Sequence, residues 1–433
     1  MRGLVAVTLI CLVAPSSGPG GSNAAVKLSE RERQRIFQHS PLKAIPADPT
    51  NRFADNSAAA QLGQYLFFDT QLSGNGEVAC ATCHVPELGF SDGRHLAKAI
   101  GELERHTPSL WNVAYNRWFF WDGRADSLWS QAVEPLENPR EMGGNRMQMA
   151  RRVWSDPALR KAYEQIFAPL PNLGDEKRFP PQARPVPEQP QHPEQLAWQA
   201  MSEEDRRAVN RILVNLTKAI SAYERKFLSR NAPFDRFVKG LRSGDREQLA
   251  ALSPSALRGL KLFMGRANCR LCHHGPNFTD GEFHNTRVPP LDGKLPSDSG
   301  RYQGLEQVRR NPFNAASEYS DAPGGVAAAK VRSLVQGPQN WGLFKTPSLR
   351  NVALSPPYMH QGQFATLHHV VRYYSTLEEA TGLSHHQETT LLPLNLTCEE
   401  MDDLVAFLES LSDASLDVAL LKAPGTPLGA KND

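Results

Sequence analysis

The chain has 433 residues, with 48 Lys and Arg against 46 Asp and Glu and a formal net charge of +2. That balance gives no electrostatic case for nucleic acid, no polybasic run marks a membrane surface, and no stretch approaches the ~20 apolar residues of a membrane-spanning helix. The length suits two ordinary domains, each with its own core.

Residues 1–25 read as an export signal. Arg2 is followed by an apolar run over 4–14 and then by small and turn-forming residues, with a cut expected near Ala24 or Ala25. The mature protein is therefore expected to be exported, soluble and periplasmic, without an integral membrane segment. Removing Cys11 with the signal leaves Cys398 as a lone thiol outside the two cysteine motifs described below, expected to be a small buried apolar residue. Residues 26–69 read as helical and loop segments, with a helical turn over 61–68. Gly89-Phe90-Ser91-Asp92-Gly93 is turn chemistry, and it leads into an aromatic block over 111–129.

Eight prolines between 168 and 195 exclude helix and central strand, so this stretch reads as a surface excursion. Val209, Ile212, Leu213, Leu216, Ile220, Tyr223 and Phe227 recur at helical spacing and predict a long amphipathic helix ending before Asn231-Ala232-Pro233. Another helix is expected over about 255–264. Residues 289–342, rich in Gly, Pro, Ser and Asn, read as loops. Thr397-Cys398-Glu399-Glu400 is a capping box, and Met401, Leu404, Val405, Leu408 and Leu411 form a helical apolar stripe behind it. No alternating strand pair of any length is found, so the fold class is mainly α.

Two runs organise the chain: Cys80-Ala81-Thr82-Cys83-His84 and Cys269-Arg270-Leu271-Cys272-His273. Each is a C-x-x-C-H, the spacing that lets two thiols reach the vinyl groups of one haem while the adjacent His turns onto the iron. A four-thiolate zinc site is the main rival, but such sites close short loops, whereas residues 84–268 separate these pairs. A thioredoxin-like dithiol is another. Two covalent c-type haems account for both motifs, and two cytochrome c-like haem domains packed against each other are the simplest architecture. The expected division is a first haem domain over 26–235, including the Pro-rich excursion, a second over 236–415 and a flexible tail over 416–433.

The surrounding motifs resemble those of the bacterial di-haem cytochrome c peroxidases and their MauG branch. In the first half the resemblance rests on the first haem motif with residues 89–93, on Thr107-Pro108-Ser109-Leu110, on Phe120-Trp121-Asp122-Gly123-Arg124 and on Glu137-Asn138-Pro139-Arg140-Glu141-Met142. In the second half it rests on the second haem motif with Phe278-Thr279-Asp280, on Lys345-Thr346-Pro347-Ser348-Leu349-Arg350-Asn351 and on Pro357-Tyr358-Met359-His360. The match runs over about 54–411.

Carried over by position, the resemblance implies that His84 holds a peroxidatic haem with an open far side and that Glu141 is its distal carboxylate. Peroxide must lose a proton from one oxygen and gain one on the other, and one carboxyl can do both. Gln131 and Pro135 are implied to line the same pocket, and Trp121 to lie between the haems as an electron relay. For the second haem His273 is the near ligand. The ordinary peroxidases carry Met where Tyr374 stands here, and the MauG branch carries Tyr. A hard phenolate oxygen favours oxidised iron over a soft thioether. Tyr373, Met359, His368 and His369 are rival ligands.

Two departures stand out. Ala267 occupies the position of a Trp that MauG uses as an exit for electron holes. The family's inter-haem calcium corresponds to His106, Ser355 and Pro357, and His is a poor ligand for a hard cation, so calcium stays open. The reading implied is a di-haem oxidoreductase that reduces hydrogen peroxide with electrons from a small cytochrome c or cupredoxin. Its alternative is a MauG-type enzyme that oxidises residues of a partner protein, and an electron-transfer-only cytochrome is the reading of another class.

Overall fold

The computed structural model describes residues 27–294, 296–381, 390–413 and 415–428; the segment expected to be an export signal lies outside them. The first half of the chain carries helices α1 (Glu30–Phe37), α2 (Ser57–Phe68), α3 (Cys80–Cys83), α4 (Leu128–Glu137), α5 (Arg146–Ser155), α6 (Pro157–Ile166), α7 (Pro193–Ala200) and α8 (Glu203–Glu224). The second carries α9 (Pro233–Ser243), α10 (Arg246–Leu249), α11 (Pro254–Met264), α12 (Arg301–Arg310), α13 (Val326–Arg332), α14 (Leu367–Thr376) and α15 (Cys398–Glu409). Strand pairing is confined to short pieces such as β1 (Phe283–His284) against β2 (Phe344–Lys345), antiparallel, so the molecule is mainly helical as expected.

The helices gather into two main apolar cores. In the first, α8 crosses α2 so closely that Gly63 is required: a Cβ there would stand 1.9 Å from the Ala219 carbonyl oxygen. Phe67 of α2 meets Tyr223 of α8 edge-on at 5.3 Å between centroids. The second core repeats the device with α11 and α15. A Cβ on Gly259 would stand 1.9 Å from the Asp403 oxygen, and Phe263 meets Phe407 at 5.0 Å. Close crossings of this kind leave no room for a methyl group, because backbone meets backbone.

Several segments depart from expectation. The stretch over 168–195 is no loose excursion: Leu173, Phe179 and Ala183 are fully buried in the first core, and Arg151 donates to the Leu173 carbonyl at 3.0 Å. Few apolar residues suffice when each is a full anchor. Residues 289–342 contain α12 and α13, hidden from periodicity by their short apolar faces; Arg301 of α12 donates to the Gly123 carbonyl at 2.7 Å and so packs against the first half. Residues 416–428, expected as a flexible tail, lie across α2 and α8. Gln64 donates to the carbonyls of Ala419 and Lys422 at 2.7 and 2.8 Å, and the Tyr223 hydroxyl bonds the Leu420 carbonyl. Cys398, expected to be buried, is half-buried at the first position of α15. The start of a helix is half open to solvent, which is why a core position does not suit it.

Candidate di-haem active site

Both haem motifs sit at the edge of their cores, and both are built alike. Cys80 to Cys83 form one helical turn, and His84 leaves it with its Nδ1 3.1 Å from the Phe90 carbonyl oxygen. That carbonyl is aimed by Phe90 itself, which adopts φ +61° with its ring fully buried. A non-glycine residue pays for that conformation, so the surrounding packing must hold it. In the second motif His273 Nδ1 lies 3.0 Å from the carbonyl of Phe278, which has φ +51° and is also fully buried. An Nδ1–H bonded to a carbonyl fixes the tautomer and leaves Nε2 as a free donor for a metal. Burial lowers the pKa of both imidazoles, keeping them neutral as ligation requires.

The rival chemistries do not fit. Cys80, Cys83, Cys269 and Cys272 are unbridged, and the two pairs belong to different cores, so no four-thiolate cluster forms among the described residues. Burial pushes the thiols of Cys83 and Cys269 up to about 12, the opposite of the lowered value a reactive dithiol needs. Cys272, Asp280 and His284 do bring ligand atoms within 4.8 Å of one another, but that group would use a thiol of the second motif. Two neutral thiols and an oriented, coordinating imidazole in each half are what covalent c-type haem takes.

On the first side, α4 and the loop after it carry the residues expected to line the pocket. Gln131 and Pro135 are one helical turn apart and half-buried. Pro135 cannot donate to the Gln131 carbonyl, which loosens the helix there. Its own carbonyl accepts the Met142 N–H at 3.1 Å and so folds the following loop back. Glu141 rides on that loop, held by Asn138, whose amide donates to its carboxylate at 2.9 Å. Burial and then the nearby Glu134 raise its acid to about 7, against the pull of Arg124 and Asn138. Glu141 in turn raises the thiols of Cys80 and Cys83, which puts its charge beside the first motif. A carboxyl poised near neutrality is suited to take and return a proton.

Trp121 is held at equivalent positions of the two halves. Its indole donates to the His106 carbonyl at 2.9 Å, and its own carbonyl accepts the Lys345 N–H at 2.7 Å. Each partner stands two residues before a proline, Pro108 or Pro347, whose carbonyl acts on His84 or His273 respectively. Trp121 therefore bridges the segments that back the two histidines.

Tyr374 and its rivals separate on α14. His368 and His369 are exposed, and Tyr373 spends its hydroxyl on the Thr286 carbonyl at 2.8 Å. Met359 is half-buried on a turn at φ +73°. Tyr374 shares a face with Leu367 and Val371, and Cys269 and Cys272 both act on its hydroxyl, whose pKa is raised above the usual range by burial. The calcium positions fare worse. The His106 ring has Nδ1 2.7 Å from the Arg94 carbonyl and Nε2 3.4 Å from the Ser91 hydroxyl, so it offers no free donor, and only carbonyl oxygens of Ser355 and Pro357 are left. These residues do not fit the calcium ion that the resemblance left open.

A family model for di-haem cytochrome c peroxidase matches residues 57–243. The methylamine utilization protein MauG of Methylorubrum extorquens is 32% identical over 387 residues, 88% of this chain and 85% of that protein. The chain belongs to the di-haem cytochrome c peroxidase family. The cytochrome-c peroxidase IdrP1 of Denitromonas iodatirespirans is 30% identical over 380 residues, covering 86% of this chain and 85% of that protein. The crystal structure of the diheme peroxidase BthA from Burkholderia thailandensis shares the fold, with a TM-score of 0.62 at 24% identity over 88% of this chain and 92% of that one. As a di-haem peroxidase-family oxidoreductase, the protein has two residues that motif reading passed over. Arg105 donates to Asp122 at 2.5 Å and to Asp298 at 2.8 and 2.9 Å, tying the halves together. Glu224 is an acid buried at the end of α8.

Proposed function

We propose that the protein reduces hydrogen peroxide at a haem held by Cys80, Cys83 and His84, with electrons arriving through a second haem held by Cys269, Cys272 and His273 and closed by Tyr374. The overall reaction takes two electrons and two protons per peroxide and releases two waters. The observation that carries this reading is Glu141: a buried carboxyl with its acid near neutrality, fixed beside the first motif by a loop that Pro135 folds back.

The haem supplies an iron centre to which peroxide binds and through which electrons pass. The chain supplies the rest. Glu141 accepts the proton from the near oxygen of peroxide and delivers it to the far oxygen, which leaves as water. Gln131 donates a hydrogen bond that orients peroxide, and Pro135 shapes the wall beside it. The indole of Trp121, anchored to His106 and bonded through its carbonyl to Lys345, divides one long electron-transfer gap into two shorter ones.

Tyr374 favours a second reading of the same site. A phenolate oxygen at the second haem makes that centre easier to oxidise than a thioether would, which suits an enzyme of the MauG kind that draws its electrons from residues of a partner protein. For the ordinary peroxidase reading the donor is a small cytochrome c or a cupredoxin. The signal at 1–25 and the attachment of haem through thioethers support a periplasmic site of action, and no helix of the described residues is long and apolar enough to cross a membrane. Mixing oxidised protein with one equivalent of peroxide tests the proposal. Rapid spectral change at the first haem, lost on Glu141→Gln with both haems still attached, is expected; an unchanged rate in the variant removes Glu141 from the reaction.

A further inference from the structure

Glu224 is 4% exposed, and its Oε2 has no hydrogen-bond partner among the described residues. A carboxyl buried without a partner is costly, so its presence calls for a cause. Its place can be read against the other half of the chain. The Asn112 N–H bonds the Phe227 carbonyl and its Oδ1 accepts the Ser229 N–H, at 2.8 and 2.9 Å. Asn351 does the same with Leu411 and Asp413, at 3.1 and 2.8 Å. Phe227 thus corresponds to Leu411, and three residues earlier Glu224 corresponds to Leu408. The glycine crossings give the same register, since Ala219 and Asp403 each lie five residues before this position. The second core has a buried leucine where the first has an acid.

Glu224 also faces the haem-attaching turn, for it is the largest charged influence on the Cys80 thiol. Among the described residues no cation acts on it. Burial is the only cause acting on it, and that alone raises its acid to about 8. Of the titratable groups nearby, Tyr223 on its own helix bonds the Leu420 carbonyl. Tyr65 on α2 responds to Asp69 and Arg152, while α4 contributes Glu134, which Arg124 holds at 2.8 Å. Arg225 is spent on Asp55 at 2.8 Å, and Arg152 on Asp69 at 2.8 Å. From the docked tail, Asp417 caps Ala419 at 2.9 Å.

We propose that Glu224 is a second carboxyl of the first haem site, set at the attached edge rather than on the open face, and that it couples electron gain at that haem to proton uptake. When the iron goes from ferric to ferrous by one electron, the carboxylate takes one proton from solvent and the buried site keeps its net charge. The reverse step returns the proton. Leu408 gives the second haem no such group, so the two centres respond differently to pH. Glu224 is a positioning residue by this account, since it acts on the haem's charge and does not touch peroxide. The inference rests on haem being attached at Cys80, as proposed above.

Spectroelectrochemical titration of the intact holoprotein against pH tests it. In the wild type the reduction equilibrium of the first haem is expected to shift toward the oxidised form by about tenfold per pH unit above about pH 8, where the ferric protein holds the carboxylate, as one linked proton requires, while that of the second haem does not follow Glu224. Glu224→Gln, which keeps size and polarity, and Glu224→Leu, which copies the other half, are both expected to abolish that slope; a packing role would be satisfied by Gln. Leu408→Glu is expected to confer a slope on the second haem. A first haem whose equilibrium ignores pH in the wild type, or a slope that survives in both Glu224 variants, overturns the assignment. A haem count below two per chain is a different failure, that of the di-haem reading.

Discussion

In the proposed reaction Glu141 has two jobs that a carboxylate serves only when its proton is loosely poised, and its surroundings supply that poise. Glu141→Gln is expected to slow peroxide cleavage by about 10²–10⁴-fold, the usual worth of a positioned acid–base group, with haem content unchanged, as stopped-flow spectra will show. Because the carboxylate form must take the first proton, the wild-type rate is expected to rise as pH passes through about 7 and to level above it. Both buried acids also link stability to pH. The acids of Glu141 and Glu224 stand above their ordinary 4.5 in the folded protein, at about 7 and about 8. The native state therefore holds extra protons between 4.5 and about 8, and stability falls as pH rises across that window. Thermal unfolding of Glu224→Leu beside the wild type is expected to show a shallower fall. At the second haem, Tyr374→Met is expected to raise the reduction potential, because a thioether favours reduced iron. The cysteines and histidines of both motifs are legible from spacing alone. Tyr374 is not separable from Tyr373 by spacing, since neighbours on a helix differ only in where each points. Glu224 stays hidden because an acid at a helix end reads as solvated.

The helices explain why each haem motif has the same frame around it. Gly63 and Gly259 let α8 reach α2 and α15 reach α11 at backbone contact, and the Phe67–Tyr223 and Phe263–Phe407 pairs fill the space beside each crossing. Gly63→Val or Gly259→Val is expected to destabilise the protein by about 1–3 kcal/mol or more, since the clash is with backbone and cannot be relieved by a rotamer change; denaturant unfolding measures it. Elements with long apolar stripes were readable in advance. The stripe from Val209 to Tyr223 lies within α8, with Phe227 three residues beyond its end, and Thr397 caps α15 with Glu400 in return, at 3.2 and 3.0 Å. Elements held by a few anchors were not. Phe179 and Leu173 tie down a proline-rich stretch that has no period to detect, and α12 is fixed by Arg301 between the rings of Trp118 and Phe283, at 4.2 and 4.1 Å, beside a short apolar face of Leu305 and Val308.

Across the whole molecule, the two halves meet through polar and aromatic groups and by exchanging anchors, Phe313 and Tyr319 of the second half being buried in the first core and Ile36 of the first half in the second. Arg105 grips Asp122 in the first half and Asp298 in the second, and Trp121 is bonded to both halves by its indole and its backbone. Arg105→Met is expected to leave the first haem's reaction with one equivalent of peroxide intact while slowing steady-state turnover with an external donor, because the junction that electrons cross is loosened. The internal repeat is visible in the sequence as the twin Thr-Pro-Ser-Leu runs at 107–110 and 346–349. What the repeat leaves undecided is how the halves differ, and in the proposed reading that depends on single positions: Glu141 on the open side of the first haem, Tyr374 closing the second, Glu224 against Leu408. The most direct test of that inequality is low-temperature EPR of the oxidised holoprotein before and after one equivalent of peroxide. The account predicts one high-spin ferric haem that responds to peroxide beside one low-spin haem whose signal changes on Tyr374→Met; two low-spin haems with no response to peroxide would contradict it.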